Sequence, residues 1–261
     1  MPFFKRWKRK NSVTELILSS LLVFGFTAIL TIAGVGAAFA LIPFLYWIGF
    51  PLPQAMATCL LLNSISMSFA LPTFIRNRMI LFSIALPVTV VSVLFSPFGA
   101  WSTRIFPRIF LLWAFSGFLI FVASMMLFYQ PKKKAVTKNL KKELTVGGMI
   151  GALAGYIGGL LGVGGGNIIV PVLIWTGFDP KKASATSGFI VIFSSFAAFL
   201  SHAAMGNVNT ELLVFAVPAS ILGGIVGAWL LAHKLKGLQV KRIIGVVLYV
   251  VAAKMIWGLL A

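Results

Sequence analysis

Residues 162–178 read GVGGGNIIVPVLIWTGF, and residues 34–50, 128 positions earlier, read GVGAAFALIPFLYWIGF. The two stretches share Gly34/Gly162, Gly36/Gly164, Pro43/Pro171, Trp47/Trp175 and Gly49/Gly177 in one register. That register runs on through Ala55/Ala183, Thr58/Thr186 and Ser66/Ser194, and it returns at Gly99-Ala100-Trp101 and Gly227-Ala228-Trp229. The chain therefore reads as a duplicated unit, residues 14–129 and 143–261, with a basic N-terminal segment (1–13) and a basic linker (130–142). A glycine break placed at the same point of two long apolar segments is the sequence signature of a binding site at a repeat interface in a membrane carrier.

Composition fixes the solvent. With a mean hydropathy of +1.03, 60% apolar residues and four acidic side chains in 261 residues, the chain lacks the roughly one-quarter charged content of a soluble domain. Lipid offers the backbone no hydrogen-bond partner, so long apolar runs without strand alternation predict an all-α integral membrane protein. The net charge of +18 does not point to nucleic acid. Its lysines and arginines cluster between apolar runs, where they set orientation and meet anionic lipid head groups. The basic start, running into the first apolar segment, is expected to be retained rather than cleaved. Cys59, the one cysteine, excludes an internal disulfide and reads as a small buried side chain.

Polar punctuation marks eight apolar segments, at about 14–47, 54–75, 80–103, 109–129, 144–175, 183–205, 212–233 and 240–260. The first and fifth are too long for one straight helix across a hydrocarbon core of about 30 Å. Adjacent glycines cost a helix roughly 1 kcal/mol each, so each of these segments is expected to be a discontinuous helix broken at its glycines. If each broken segment crosses once, four crossings per repeat leave the halves in the same orientation. If its two parts cross separately, five crossings invert them. With the N-terminus inside, inner loops carry 13 Lys and Arg against eight outside, a modest bias in favour of the first count. Trp47, Trp101, Trp175, Trp229 and Trp257 fall near segment ends, as an interfacial aromatic belt requires.

Chemistry concentrates at the second break. Gly162, Gly164, Gly165 and Gly166 free the backbone to turn consecutive N–H groups toward one point, and a half-helix starting near Asn167 aims its positive end there. Such a site binds an anion without a buried cation. The first copy, at Gly34 and Gly36, has Ala37 and Ala38 where the second has glycines. Gly147, Gly151, Gly155 and Gly159, spaced by four, read instead as a groove for a neighbouring helix. Thr58, Asn63 and Ser66 in one segment, with Thr186, Ser187, Ser194 and Ser195 in its counterpart, are polar groups that must face a partner helix or a solute. His202 is a candidate for proton coupling, or a satisfied structural histidine. The acids Glu15, Glu143, Asp179 and Glu211 sit at segment edges, so no carboxylate relay crosses the membrane. No Walker or Rossmann context surrounds the glycines, and no metal-ligand spacing or catalytic triad is present, so neither an enzyme nor a cofactor or metal is expected.

Together these motifs, the glycine break followed by proline in both halves, the Gly-Phe turn and the Ala-x-Ala-Thr start of the next segment, resemble the sulfite exporter TauE/SafE family, also called the 4-toluene sulfonate uptake permease family. The resemblance covers nearly the whole chain after Asn11. It implies a prokaryotic plasma-membrane permease for sulfite, sulfoacetate or a related organosulfonate. The residues themselves imply only a small anionic substrate and a glycine-lined site. A permease for another organic anion and a non-transporting membrane scaffold are the competing readings, and oligomeric state is not legible.

Overall fold

The computed structural model describes residues 13–34, 36, 38–47, 50–128, 140–208 and 210–260. Among them are ten helices and no strand. They are α1 (Val13–Ile32), α2 (Ala38–Trp47), α3 (Leu52–Arg76), α4 (Phe82–Ser102), α5 (Arg108–Phe128), α6 (Leu140–Leu160), α7 (Gly166–Trp175), α8 (Pro180–Ala204), α9 (Thr210–His233) and α10 (Gly237–Leu260). Six are long and apolar enough to cross a membrane: Leu52–Arg76, Phe82–Ser102, Ile109–Phe128, Pro180–Ala204, Ala216–His233 and Gly237–Leu259. α1 and α6 contribute shorter apolar stretches, Leu21–Ile32 and Gly147–Leu160. The first and fifth segments are each split in two, between Ile32 and Ala38 and between Leu160 and Gly166.

Burial runs in the sense expected in lipid. On α4, Leu86, Val90, Leu94 and Phe98 form an outward row, each more than half exposed, while Ala85, Ser92, Ser96 and Gly99 face inward and are buried. Large apolar groups face the acyl chains, and small or hydroxylated ones let helices approach. The inward hydroxyls of α4 are satisfied within the bundle: Thr89 and Ser96 donate to the carbonyls of Ala85 and Ser92 one turn back, and Ser92 donates across to Gly151 O at 3.0 Å. Trp101, Trp175, Trp229 and Trp257 are exposed close to the C-terminal ends of their helices; the Trp47 side chain lies outside the described residues.

The glycine row of α6 is a packing groove. Added Cβ atoms would meet Val88 O at 2.9 Å from Gly151, Ser92 O at 2.5 Å from Gly155, and Ala100 N at 2.9 Å from Gly159. These contacts climb together, so α6 runs parallel to α4. The other half has the same arrangement, with Gly223 and Gly227 of α9 against Phe24 and Ala28 of α1.

Direction follows from such pairs. Leu81 N donates to Thr186 Oγ1 at the start of α4 and α8, and Ser201 Oγ donates to Pro97 O near their ends, so α4 and α8 also run parallel. α6 and α8 thus point the same way, and the chain has to return between them through α7. The fifth segment is therefore not a single interrupted crossing: the packing of both its neighbours on α4 overrides the count suggested by loop charge. α3 and α8 are antiparallel, since Phe74 lies at Gly188 while Ser64 Oγ, further back along α3, donates to Ile192 O at 2.9 Å.

Helix ends repeat a single device. After α8, Gly206 (φ +75) gives its N–H to Ala203 O while Asn207 gives its own to His202 O, a left-handed glycine cap. After α3 the same two bonds form around Arg78, whose φ of +52 is the only positive non-glycine value among the described residues. A left-handed conformation is costly for a residue with a Cβ. Arg78→Gly is therefore expected to raise the unfolding midpoint in detergent, by the equivalent of about 0.5–1 kcal/mol; a lowered midpoint would count against this account.

Candidate functional site

Both breaks are built as helix C-caps first. Gly162 (φ +71) donates to Gly159 O at 3.3 Å, Val163 donates to Gly158 O at 2.8 Å, and Gly164 donates to the same oxygen at 3.2 Å. In the first break, Gly34 (φ +68) donates to Thr31 O at 3.0 Å and Gly36 (φ +79) to Leu30 O at 3.3 Å. The left-handed angles explain the glycines, but the cap also consumes the amide donors of Gly34, Gly36, Gly162 and Gly164. Sequence reading offered those N–H groups to a solute; the structure turns them back onto the preceding helix. The N–H groups of Gly165 and of Gly166, the buried first residue of α7, have no acceptor among the described residues. The N-cap residue before it, Gly165 (φ +74), supplies no side chain.

The breaks lie against each other in the interior. A Cβ on Gly166 would stand 2.9 Å from Gly34 O, one on Gly34 would collide with Ser184 O, and one on Gly162 would stand 2.6 Å from Met56 Cγ. Asn63, fully buried in the middle of α3, ties them together: its Oδ1 accepts from Ala38 N at 3.0 Å, and its Nδ2 donates to Val163 O at 3.4 Å. From α8, Ser194 Oγ donates to Gly164 O at 3.0 Å and Ser187 Oγ to Gly166 O at 3.3 Å. The structure thus brings together Gly34, Gly36, Asn63, Gly162, Gly164, Gly165, Gly166, Ser187 and Ser194.

The two threonines behave differently. Thr186 faces the start of α4, where it accepts the Leu81 N–H at 3.0 Å. Thr58 Oγ1 is buried with no hydrogen-bond partner. The Asn167 side chain lies outside the described residues. His202 is fully buried toward the end of α8, facing the Gly159 backbone of α6. Ser195, one of the polar groups expected to face a partner helix or a solute, differs from the neighbouring serines of α8. Its hydroxyl is fully buried and unpartnered, and it occupies the space that a Cβ on Gly164 would need. Its counterpart 128 residues earlier is Met67, so it has no matched polar group in the first half.

A further asymmetry lies in the caps. Asn63 caps α2 by accepting from Ala38 N, but the corresponding position on α8 is Val191, which has no acceptor and packs its Cγ2 2.8 Å from where a Gly166 Cβ would be. At the start of α8, Asp179 Oδ1 caps the helix through Lys181 N (2.9 Å) and Lys182 N (3.3 Å), and Lys181 Nζ reaches Ala232 O at 2.9 Å. This acid and one of its neighbouring cations hold helix ends together.

Broken helices meeting inside a bundle whose outer faces suit lipid define the class: a multi-pass membrane transporter. The chain belongs to the sulfite exporter TauE/SafE family, which it matches over residues 19–255. It is 34% identical over 116 residues to the "Probable membrane transporter protein YunE" of Bacillus subtilis, covering 44% of this chain and 42% of that protein. To "Sulfite exporter TauE/SafE family protein 6" of Arabidopsis thaliana it is 35% identical over 101 residues, covering 37% of this chain and 24% of that one. A longer, weaker likeness reaches the "Probable membrane transporter protein MJ0441" of Methanocaldococcus jannaschii, 24% identical over 212 residues and 77% of each chain. The alignments thus span less than half the length of the Bacillus and Arabidopsis proteins. No solved structure matches the chain.

Proposed function

We propose that this chain is a secondary permease of a prokaryotic plasma membrane that moves a small sulfur-containing oxyanion such as sulfite, sulfoacetate or another organosulfonate. The supporting observation is the meeting of the two glycine breaks, with Gly166 against the Gly34 carbonyl and Asn63 bonded to both. An uncapped helix N-terminus surrounded by hydroxyls suits a negative solute. Family membership adds the sulfur, since the backbone recognises only an oxyanion.

Transport on this reading comes from two inverted repeats, α1–α5 and α6–α10. The antiparallel course of α3 and α8, equivalent helices 128 residues apart, supports inversion. Ser187 and Ser194 hold the carbonyls of the second break in place, Thr58 adds a free buried hydroxyl, and rearrangement of one repeat against the other exposes the site alternately.

Proteoliposomes carrying the protein should take up labelled sulfite or sulfoacetate above protein-free vesicles. Gly164→Leu, which forces a side chain into the place of Ser195 Oγ at φ +76, should cut that flux at least tenfold. Flux unchanged by Gly164→Leu would remove the breaks from the pathway, and a folded protein without flux of any such anion would favour a scaffold.

His202, buried toward the end of α8 and facing the Gly159 backbone, is the group proposed to couple a proton to transport. His202→Gln keeps volume and polarity but cannot titrate. Its flux should be insensitive to pH over whatever range the parent's flux varies, whereas the parent's own pH profile in the variant would make the histidine structural.

A further inference from the structure

The two breaks share a backbone design but differ in what faces the helix that follows. At α2, the carboxamide oxygen of Asn63 sits on the Ala38 amide at 3.0 Å. At α7, the corresponding amide is that of Gly166, buried and without an acceptor among the described residues. Orphaned buried N–H groups are rare in native structures. The residue standing where Asn63 stands in the other half is Val191, which can accept nothing. At the same break, Ser195 Oγ is fully buried, has no partner, and stands where a Cβ on Gly164, two residues before this amide, would be. Two groups without a protein partner thus lie at one break, while the equivalent position in the other break is filled by an oxygen of the chain itself.

We infer that the chain holds one small oxyanion, not two, seated at the N-terminus of α7 and accepting hydrogen bonds from Gly166 N–H and Ser195 Oγ–H, while Asn63 Oδ1 permanently occupies the matching seat at α2. This inference rests on the permease reading and narrows its site to one of the two breaks. A sulfite or sulfonate group suits the seat because it presents several acceptor oxygens from one centre and can take both donors at once. The carboxamide is the neutral, tethered stand-in for such an oxygen, which caps α2 in the same way.

The test exchanges the two halves' residues. Equilibrium binding of labelled sulfite, kept under anaerobic conditions, is measured on the purified full chain in detergent for the parent, Val191→Asn, Val191→Leu and Ser195→Ala. The parent should bind one sulfite per chain. Val191→Asn brings a carboxamide oxygen to Gly166 N–H and should weaken binding at least tenfold, while Val191→Leu, of similar volume but without an acceptor, should stay within about threefold of the parent. Ser195→Ala should bind about tenfold more weakly with an unfolding midpoint no lower than the parent's, because the hydroxyl it removes has no protein partner; this variant carries the test if Val191→Asn does not fold. Parent-like affinity in folded Val191→Asn, or in Ser195→Ala, overturns the inference, as does a stoichiometry of two. A parent that transports sulfite but shows such variants keeps the permease reading and loses the single seat; a parent that neither binds nor transports loses both.

Discussion

Gly99→Leu is expected to yield no stably folded protein. Gly99 lies where α4 and α6 cross most closely, and a Cβ there would collide with Tyr156 O and stand 2.8 Å from Leu160 N. Both obstacles are backbone atoms of a helix, so neither can rotate away. Accommodation requires the parallel pair to separate along its length, losing the approach of Gly151, Gly155 and Gly159 to α4 that closes the interface. The destabilisation should exceed about 4 kcal/mol, the range reached when a packed interior cannot relax. The check is the yield of monodisperse protein after detergent extraction, together with its unfolding midpoint. Gly25→Ala and Gly117→Ala provide the contrast. Both glycines are helical and would meet nothing within 4 Å, so each change should be neutral or stabilising by up to about 1 kcal/mol. Comparable behaviour of all three variants would show that close backbone approach does not hold this bundle together.

Asn63→Leu should be the most damaging single change at the breaks. It keeps the branched shape of the side chain but strands the Ala38 N–H and the Val163 carbonyl, both bonded to Asn63 in the interior. At about 1–3 kcal/mol for each buried group left unpaired, the expected loss is about 2–5 kcal/mol, read as a lowered unfolding midpoint. Sulfite flux should fall with it, because the side chain fixes the first break relative to the second. Asn63→Asp separates the two bonds. A carboxylate still accepts from Ala38 but repels the Val163 carbonyl, so this variant should fall between the parent and Asn63→Leu. Equal stability of Asn63→Leu and the parent would mean that water satisfies both groups.

Much of this was legible without coordinates because it follows from local rules. The positions of the breaks needed only the glycines and the length of the segments, since no 32-residue apolar helix fits across a bilayer. The four-residue glycine spacing in α6 identified a packing face in the same way, and contacts with α4 fill that face. The role of Val191 was hidden for the opposite reason. It differs from its repeat partner, Asn63, and a reading based on matched polar pairs passes over an apolar replacement. Amide donors were misread in part because glycine freedom shows where a chain can turn but not toward which acceptor. Gly158 O, five and six residues back from Val163 and Gly164, takes the hydrogen bonds that a solute was expected to take.

The sequence by itself determined that this chain lives in lipid, that it is helical, and that one glycine-broken stretch occurs twice, 128 residues apart. These are consequences of residue composition and of backbone preferences acting over a few turns. Only the tertiary structure decided that α6 and α8 share a direction, that α3 and α8 oppose each other, and that one break is capped by a side chain while the other keeps an amide free. Those outcomes depend on contacts such as Leu81 with Thr186 and Asn63 with Val163, made across 105 and 100 residues. Partners so distant are selected by which helix faces can close together, and no local pattern encodes that choice.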